Sequence, residues 1–139
     1  MTIVNVASFE LIQGVPIVHA KHNQTELNFI IDTGASSCAL CNTAINKIKY
    51  KDSECQYLVY GIDGSHIEAK EIITDIQIGD YVFQDLKFQK VDIPGIDRLN
   101  KKYGSRIILH GLLGSNFLSH FHLIINYDEW SLQIKETND

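Results

Sequence analysis

Phe29-Ile30-Ile31-Asp32-Thr33-Gly34-Ala35-Ser36 is an apolar run that drives straight into an acidic residue, with a glycine two positions on. Leu27, Phe29 and Ile31 fall on one face of an alternating stretch that starts near Thr25, so the run reads as a strand that delivers Asp32 at its end. A carboxylate in that position costs desolvation energy unless it is hydrogen-bonded, paired or put to chemical use. Gly34 lets the backbone fold back close to the carboxylate, and Thr33 sets a hydroxyl beside it. Taken alone, the triplet is also an ordinary turn, because Asp and Gly are common turn formers.

Two stretches elsewhere tip that balance. Ile107-Ile108-Leu109-His110-Gly111-Leu112-Leu113-Gly114 is a second apolar strand, closing on two apolar residues and a glycine. Between the two lies Val59-Tyr60-Gly61-Ile62-Asp63-Gly64, where Asp63-Gly64 marks a hairpin tip. In this order the three stretches resemble the retropepsin-like aspartic proteases, the retroviral enzymes and their single-domain cellular relatives. The resemblance runs over residues 9–134. It implies a mainly β, single-lobe, closed acid-protease barrel with one or two short helices, forming a homodimer. It further implies that Asp32 is catalytic and that Thr33, Gly34 and Ala35 support its loop. Tyr60, Gly61, Ile62, Asp63 and Gly64 would form a flap over the substrate, and Leu112, Leu113 and Gly114 would pack beneath the catalytic loop.

The residues set an arithmetic of their own. Hydrolysing a peptide with carboxylates takes two: an ionised one to accept a proton from water and a protonated one to donate to the scissile carbonyl. Two carboxyls held close together share one proton. The chain has a single Asp-Thr-Gly and no Asp-Ser-Gly, and the Asp-Gly at 63–64 lacks an apolar approach strand. The second carboxylate is therefore expected from another copy of the chain across a two-fold axis. By the resemblance, Thr33 would link the two loops across that axis, and the flap would hold an extended peptide or protein substrate by its backbone. His110 departs from the family pattern, which often carries an acid or another polar residue there.

Other classes of function find less support. At 139 residues with 45% apolar and 21% charged residues, the chain reads as one soluble domain, residues 1–139, able to bury a core. A net charge of −5 argues against a nucleic-acid partner. Arg98, Lys101, Lys102 and Arg106 form a local basic cluster, read as the solvated face of a short helix. No signal-peptide pattern and no membrane-length apolar run is visible, so a cytoplasmic location without membrane contact is expected. Cys38, Cys41 and Cys55 are odd in number, which fits reduced core thiols. Cys38-x-x-Cys41 with His120 and His122 is weighed as a zinc site and set aside for want of a second close ligand pair, so neither metal nor cofactor is expected. A Ser65-His66 hydrolase finds no nucleophile elbow. The alternative kept open is a catalytically inactive dimeric peptide-binding or scaffolding domain of the same fold.

Along the rest of the chain, residues 1–7 read as a terminal strand or arm and 9–12 with 17–20 as a hairpin around Gly14. A brief helix capped by Asn42 or Thr43 turns Ala44, Ile45 and Ile48 inward, followed by a polar loop at 51–54. Residues 56–61 and 65–73 are the flap arms. A hairpin pivots on Gly79-Asp80, and residues 86–91 form a further strand. Residues 92–103 break the β pattern: Asp92 as cap, Pro94 in the first turn, and Ile96, Leu99 and Tyr103 at helical spacing before Gly104. This helix is an insertion relative to the retroviral enzymes. Strand 107–109 leads to a helical turn capped by Ser115, then a hairpin around Asp128-Glu129 and a frayed tail at 135–139.

Overall fold

The computed structural model describes residues 2–60 and 66–136, with side chains throughout except at 54–60 and 66–68. Alternation of apolar residues dominates the chain, and strands dominate the structure: β1 (Thr2–Ile12), β2 (Val15–His22), β3 (Thr25–Ile31), β4 (Cys38–Leu40), β5 (Lys51–Tyr60), β6 (His66–Ile78), β7 (Tyr81–Lys90), β8 (Gly111–Leu113), β9 (Leu123–Asn126) and β10 (Ser131–Glu136). Three helices interrupt them: α1 (Asn42–Ile45), α2 (Pro94–Tyr103) and α3 (Ser115–His120). Strands pair in the order β5-β6-β7-β4-β8-β3-β2-β1-β10-β9, and a further β6–β2 contact at Lys21↔Gln77 closes six of them into a barrel. Among the described residues no helix is long and apolar enough to cross a membrane.

The centre of the barrel is β3, β8 and β4. β3 runs parallel to β8 (Phe29↔Gly111, Ile30↔Leu112, Ile31↔Leu113), and β4 lies antiparallel on the other side of β8. Gly111 is required here, since a Cβ would fall 2.0 Å from the Ala39 carbonyl oxygen. These strands are buried on both faces, which accounts for their unbroken apolar runs. Leu27, Phe29, Ile31, Cys38, Leu40 and Leu113 point into the barrel interior, where Phe29 stacks on Phe88 at 5.8 Å between ring centroids. Ile30, Ala39, Cys41 and Leu112 point the other way, into a second apolar cluster with Ile12 and Ile17. α2 roofs that cluster with Ile96, Leu99 and Tyr103.

Several local expectations are corrected by long-range partners. Asp92 does not cap α2, whose N-cap is Ile93 with no side-chain bond. Its carboxylate instead accepts the Asn42 backbone N–H at 3.0 Å and the Asn42 side-chain amide, so α1 is capped from fifty residues away rather than by Asn42 or Thr43. Thr43 donates to the Leu109 carbonyl at 3.0 Å. Ser115 is likewise no cap; Gly114 holds that position on α3. The expected strand at 107–109 joins no ladder. Asn100 clamps it from α2, donating to the Leu109 carbonyl at 3.0 Å and accepting its N–H at 2.7 Å.

The predicted loop at 51–54 belongs to β5, where Lys51 and Asp52 pair with Ile73 and Ile72 and a register shift follows before Gln56. β6 and β7 run on as single long strands, with their irregularity between Thr74 and Ile76 opposite Asp85, which has a φ of 55°. At the termini, β1 is one strand whose first half pairs with β10 from Thr2↔Glu136 to Ser8↔Ser131. Lys135 and Glu136 are therefore laddered rather than frayed.

Candidate active site

Asp32 stands one residue beyond β3, and its loop is held by backbone groups. The Asp32 N–H donates to the Leu113 carbonyl at 3.0 Å, extending the β3–β8 pairing by one step. The chain then reverses: Ala35 N–H donates to the Asp32 carbonyl at 3.2 Å, and Gly34 N–H donates to Asp32 Oδ1 at 3.0 Å. The carboxylate is thus oriented by its own loop and is half-buried, while Thr33 and Gly34 at the tip are exposed.

The floor of the loop is the Leu112-Leu113-Gly114 stretch. Leu113 is fully buried in the barrel interior and Leu112 in the second cluster, so alternation anchors this strand to both cores at once. Gly114 follows because a Cβ there would lie 2.5 Å from the Ser37 carbonyl oxygen and 2.9 Å from that of Ala35. Ser115 N–H then donates to the Ala35 carbonyl at 2.7 Å, tying the start of α3 to the Asp32 loop.

Sequence reasoning assigned Cys38 to the core and missed its polar contact. Its Sγ accepts the buried Gly114 N–H at 3.4 Å and lies 3.6 Å from Asn116 Oδ1. Burial pushes this thiol up to about 11, so it is a neutral donor and acceptor rather than a nucleophile. Cys41 is raised to about 11 by burial as well. The two thiols point to opposite faces of the central sheet, Cys38 into the barrel and Cys41 into the second cluster, so the Cys-x-x-Cys spacing brings them to no common point. Among the described residues, no three His, Cys, Asp or Glu side chains gather where a metal ion could sit.

His110, the departure from the family pattern, is buried beside this floor. Its backbone N–H donates to the Asn28 carbonyl at 2.8 Å, and its Nδ1 accepts the Asn28 N–H at 2.9 Å. Desolvation, with a smaller contribution from the Lys47 charge, lowers its pKa to about 4. The ring is a neutral acceptor that completes the β3 edge where β8 pairing has not yet begun. Gly61, Ile62, Asp63 and Gly64 lie outside the described residues, as does the Tyr60 side chain. The backbone pairing of β5 with β6 runs up to Tyr60↔His66.

With this geometry in hand, three comparisons bear on it. The model of a family described as aspartyl protease matches residues 18–117. Among solved structures, a retropepsin-like aspartic protease from Rickettsia conorii superposes with a TM-score of 0.60 at 21% identity, covering 96% of this chain and 92% of that one. The EIAV protease in complex with the inhibitor HBY-793 gives 0.56 at 21% identity, over 81% of this chain and 93% of that one. No curated protein matches the sequence.

Proposed function

The chain belongs to the aspartyl protease family, and on that premise we propose that it is an endopeptidase in which two Asp32 carboxyls, one from each of two identical chains, activate a single water. The observation that carries this reading is Asp32 itself: a half-buried carboxylate on a loop pinned to Leu113 and Ala35, exposed at its tip, and present once per chain. Across a two-fold axis the ionised carboxylate takes a proton from water as its oxygen adds to the scissile carbonyl carbon. The protonated partner donates a hydrogen bond to the carbonyl oxygen and then a proton to the departing amine. The pair titrates as a unit, so its two apparent pKa values belong to neither residue alone.

Thr33 and Gly34, exposed at the tip, are free to meet the same residues of a second copy. The β5–β6 arms, joined through Gly61 to Gly64, would close over an extended peptide and bind its backbone as an added strand does. Asp32→Asn tests the assignment: the amide is nearly isosteric but cannot act as a base. Cleavage of a peptide library should fall by about 10²–10⁴-fold, with the circular dichroism spectrum and sedimentation unchanged. Equal cleavage by wild type and variant would sink the protease reading.

A further inference from the structure

Two polar side chains of the barrel wall are buried without partners, and the mechanism uses neither. Gln89 on β7 and Glu71 on β6 are 7% and 6% exposed, and they face each other across the β6–β7 ladder. Gln89 Oε1 is buried with no hydrogen-bond donor among the described residues. Glu71 enters no ion pair or side-chain hydrogen bond among them. Buried polar groups are as a rule bonded, because an unmet one has given up its hydration for nothing. Here a carboxyl group and an amide oxygen stand together where acceptors outnumber donors. Lys87, two residues back on the same face of β7, is exposed and makes no ion pair with Glu71.

Their place in the sheet connects them to Asp32. Paired residues on neighbouring strands share a face. The pairs Glu71↔Gln89, Gln89↔Ala39, Ala39↔Leu112 and Leu112↔Ile30 therefore form one row across β6, β7, β4, β8 and β3. The last three members of the row belong to the second apolar cluster, against which Ala35 of the Asp32 loop also packs. Asp32 follows Ile30 by two residues, on the same side by alternation and about 7 Å further along the chain. Gln89 lies three strands across from Ile30, about 14 Å at the usual strand spacing. An extended peptide covers that distance in about four residues.

We propose that Glu71 and Gln89 select a basic side chain of the substrate, lysine or arginine, at one position within about four residues of the bond that is cut. The inference rests on the protease reading of Asp32. A basic side chain has an aliphatic stem that suits the apolar row and N–H donors at its end for the two acceptors. Ala39 beside Gln89, and Ala69 beside Glu71 on the same face of β6, are small and leave room for that stem. An acidic side chain would bring a like charge to Glu71. An apolar one would leave both acceptors unmet, and a site built on polar partners discriminates strongly against a substrate that lacks them.

The test reads the cut-site preferences of the full chain on a randomised peptide library by mass spectrometry. Wild type should show lysine or arginine enriched at one position near the cut, and glutamate depleted there. Two peptides differing only in lysine against leucine at that position then serve as a matched pair. Glu71→Gln should lower the ratio of their kcat/KM values by about tenfold or more. This ratio does not depend on how much of a variant is folded, and Gln89→Leu should move it in the same direction. Binding separates this inference from the protease reading: labelled lysine-rich and leucine-rich pools are titrated against Asp32→Asn chains by fluorescence anisotropy, with and without Glu71→Gln. Cleavage without a basic preference, or a preference that survives Glu71→Gln, overturns the pocket and leaves the protease reading standing. No cleavage, with tighter binding of the lysine-rich pool that Glu71→Gln abolishes, upholds the pocket and overturns the protease reading. No cleavage and no such binding overturns both.

Discussion

At the scale of single residues, two polar side chains around the half-buried Asp32 are held uncharged by burial: Cys38 and His110 spend their polar atoms on backbone groups. His110 carries a measurable consequence. Its pKa is about 4 in the folded chain and near the ordinary 6.5 when unfolded. Between those values the unfolded chain binds the extra proton and the folded chain does not, so stability rises with pH through that window and is lost as pH falls toward 4. The full loss is about 3 kcal/mol at 1.36 kcal/mol per pKa unit. Denaturant melts across pH 4–6.5 should show this slope, and His110→Asn, an acceptor that does not titrate, should flatten it. An unchanged slope would mean other groups set the acid sensitivity. The sequence marked His110 as out of pattern, but nothing local told whether the ring was buried or which atom it accepted from.

At the scale of elements, the helix inserted between β7 and β8 is a structural roof over the outer face of the central strands. Its helical spacing was legible, because Ile96, Leu99 and Tyr103 recur at three and four residues. Its partner was not, since Asn100 looks like any polar helix residue until it meets Leu109. Asn100→Ala leaves the Leu109 N–H without its partner, while Thr43 still donates to the Leu109 carbonyl, and should cost about 1–3 kcal/mol by urea denaturation. No change in midpoint would show that the clamp is dispensable. The β5–β6 hairpin carries the other prediction at this scale. As a flap, it needs glycine where the chain turns, so Gly64→Val should cut turnover at least tenfold while shifting the melting temperature by only a few degrees. Normal cleavage by that variant would place the flap elsewhere.

For the whole molecule, the proposed mechanism with one Asp32 per chain would leave a monomer with half a dyad. Activity should then decline on dilution as dimers dissociate by mass action. Mixing equal amounts of wild type and Asp32→Asn, with subunit exchange complete, leaves about a quarter of the dimers with two aspartates by random pairing. Activity should drop to about one quarter of that of an all-wild-type sample at the same total concentration. One half, instead, would mean that each chain carries its own working site.

Much of this protein was legible in its residues: the strand that ends in Asp32, the Leu-Leu-Gly floor, the helix at 94–103 and the hairpin at Gly79-Asp80. Each is set by a local period or by a residue whose backbone freedom has few uses, and such signals survive without knowledge of the fold. Tertiary structure decided the rest. It sent Asp92 to cap α1 rather than α2, drew Lys51 and Asp52 into a ladder, and tied both termini into one sheet. It also turned Cys38 and Cys41 to opposite faces. These choices depend on which distant backbone groups are left unpaired once the barrel closes. A buried N–H or C=O takes whatever partner the fold brings within reach, and sequence distance has no say in that.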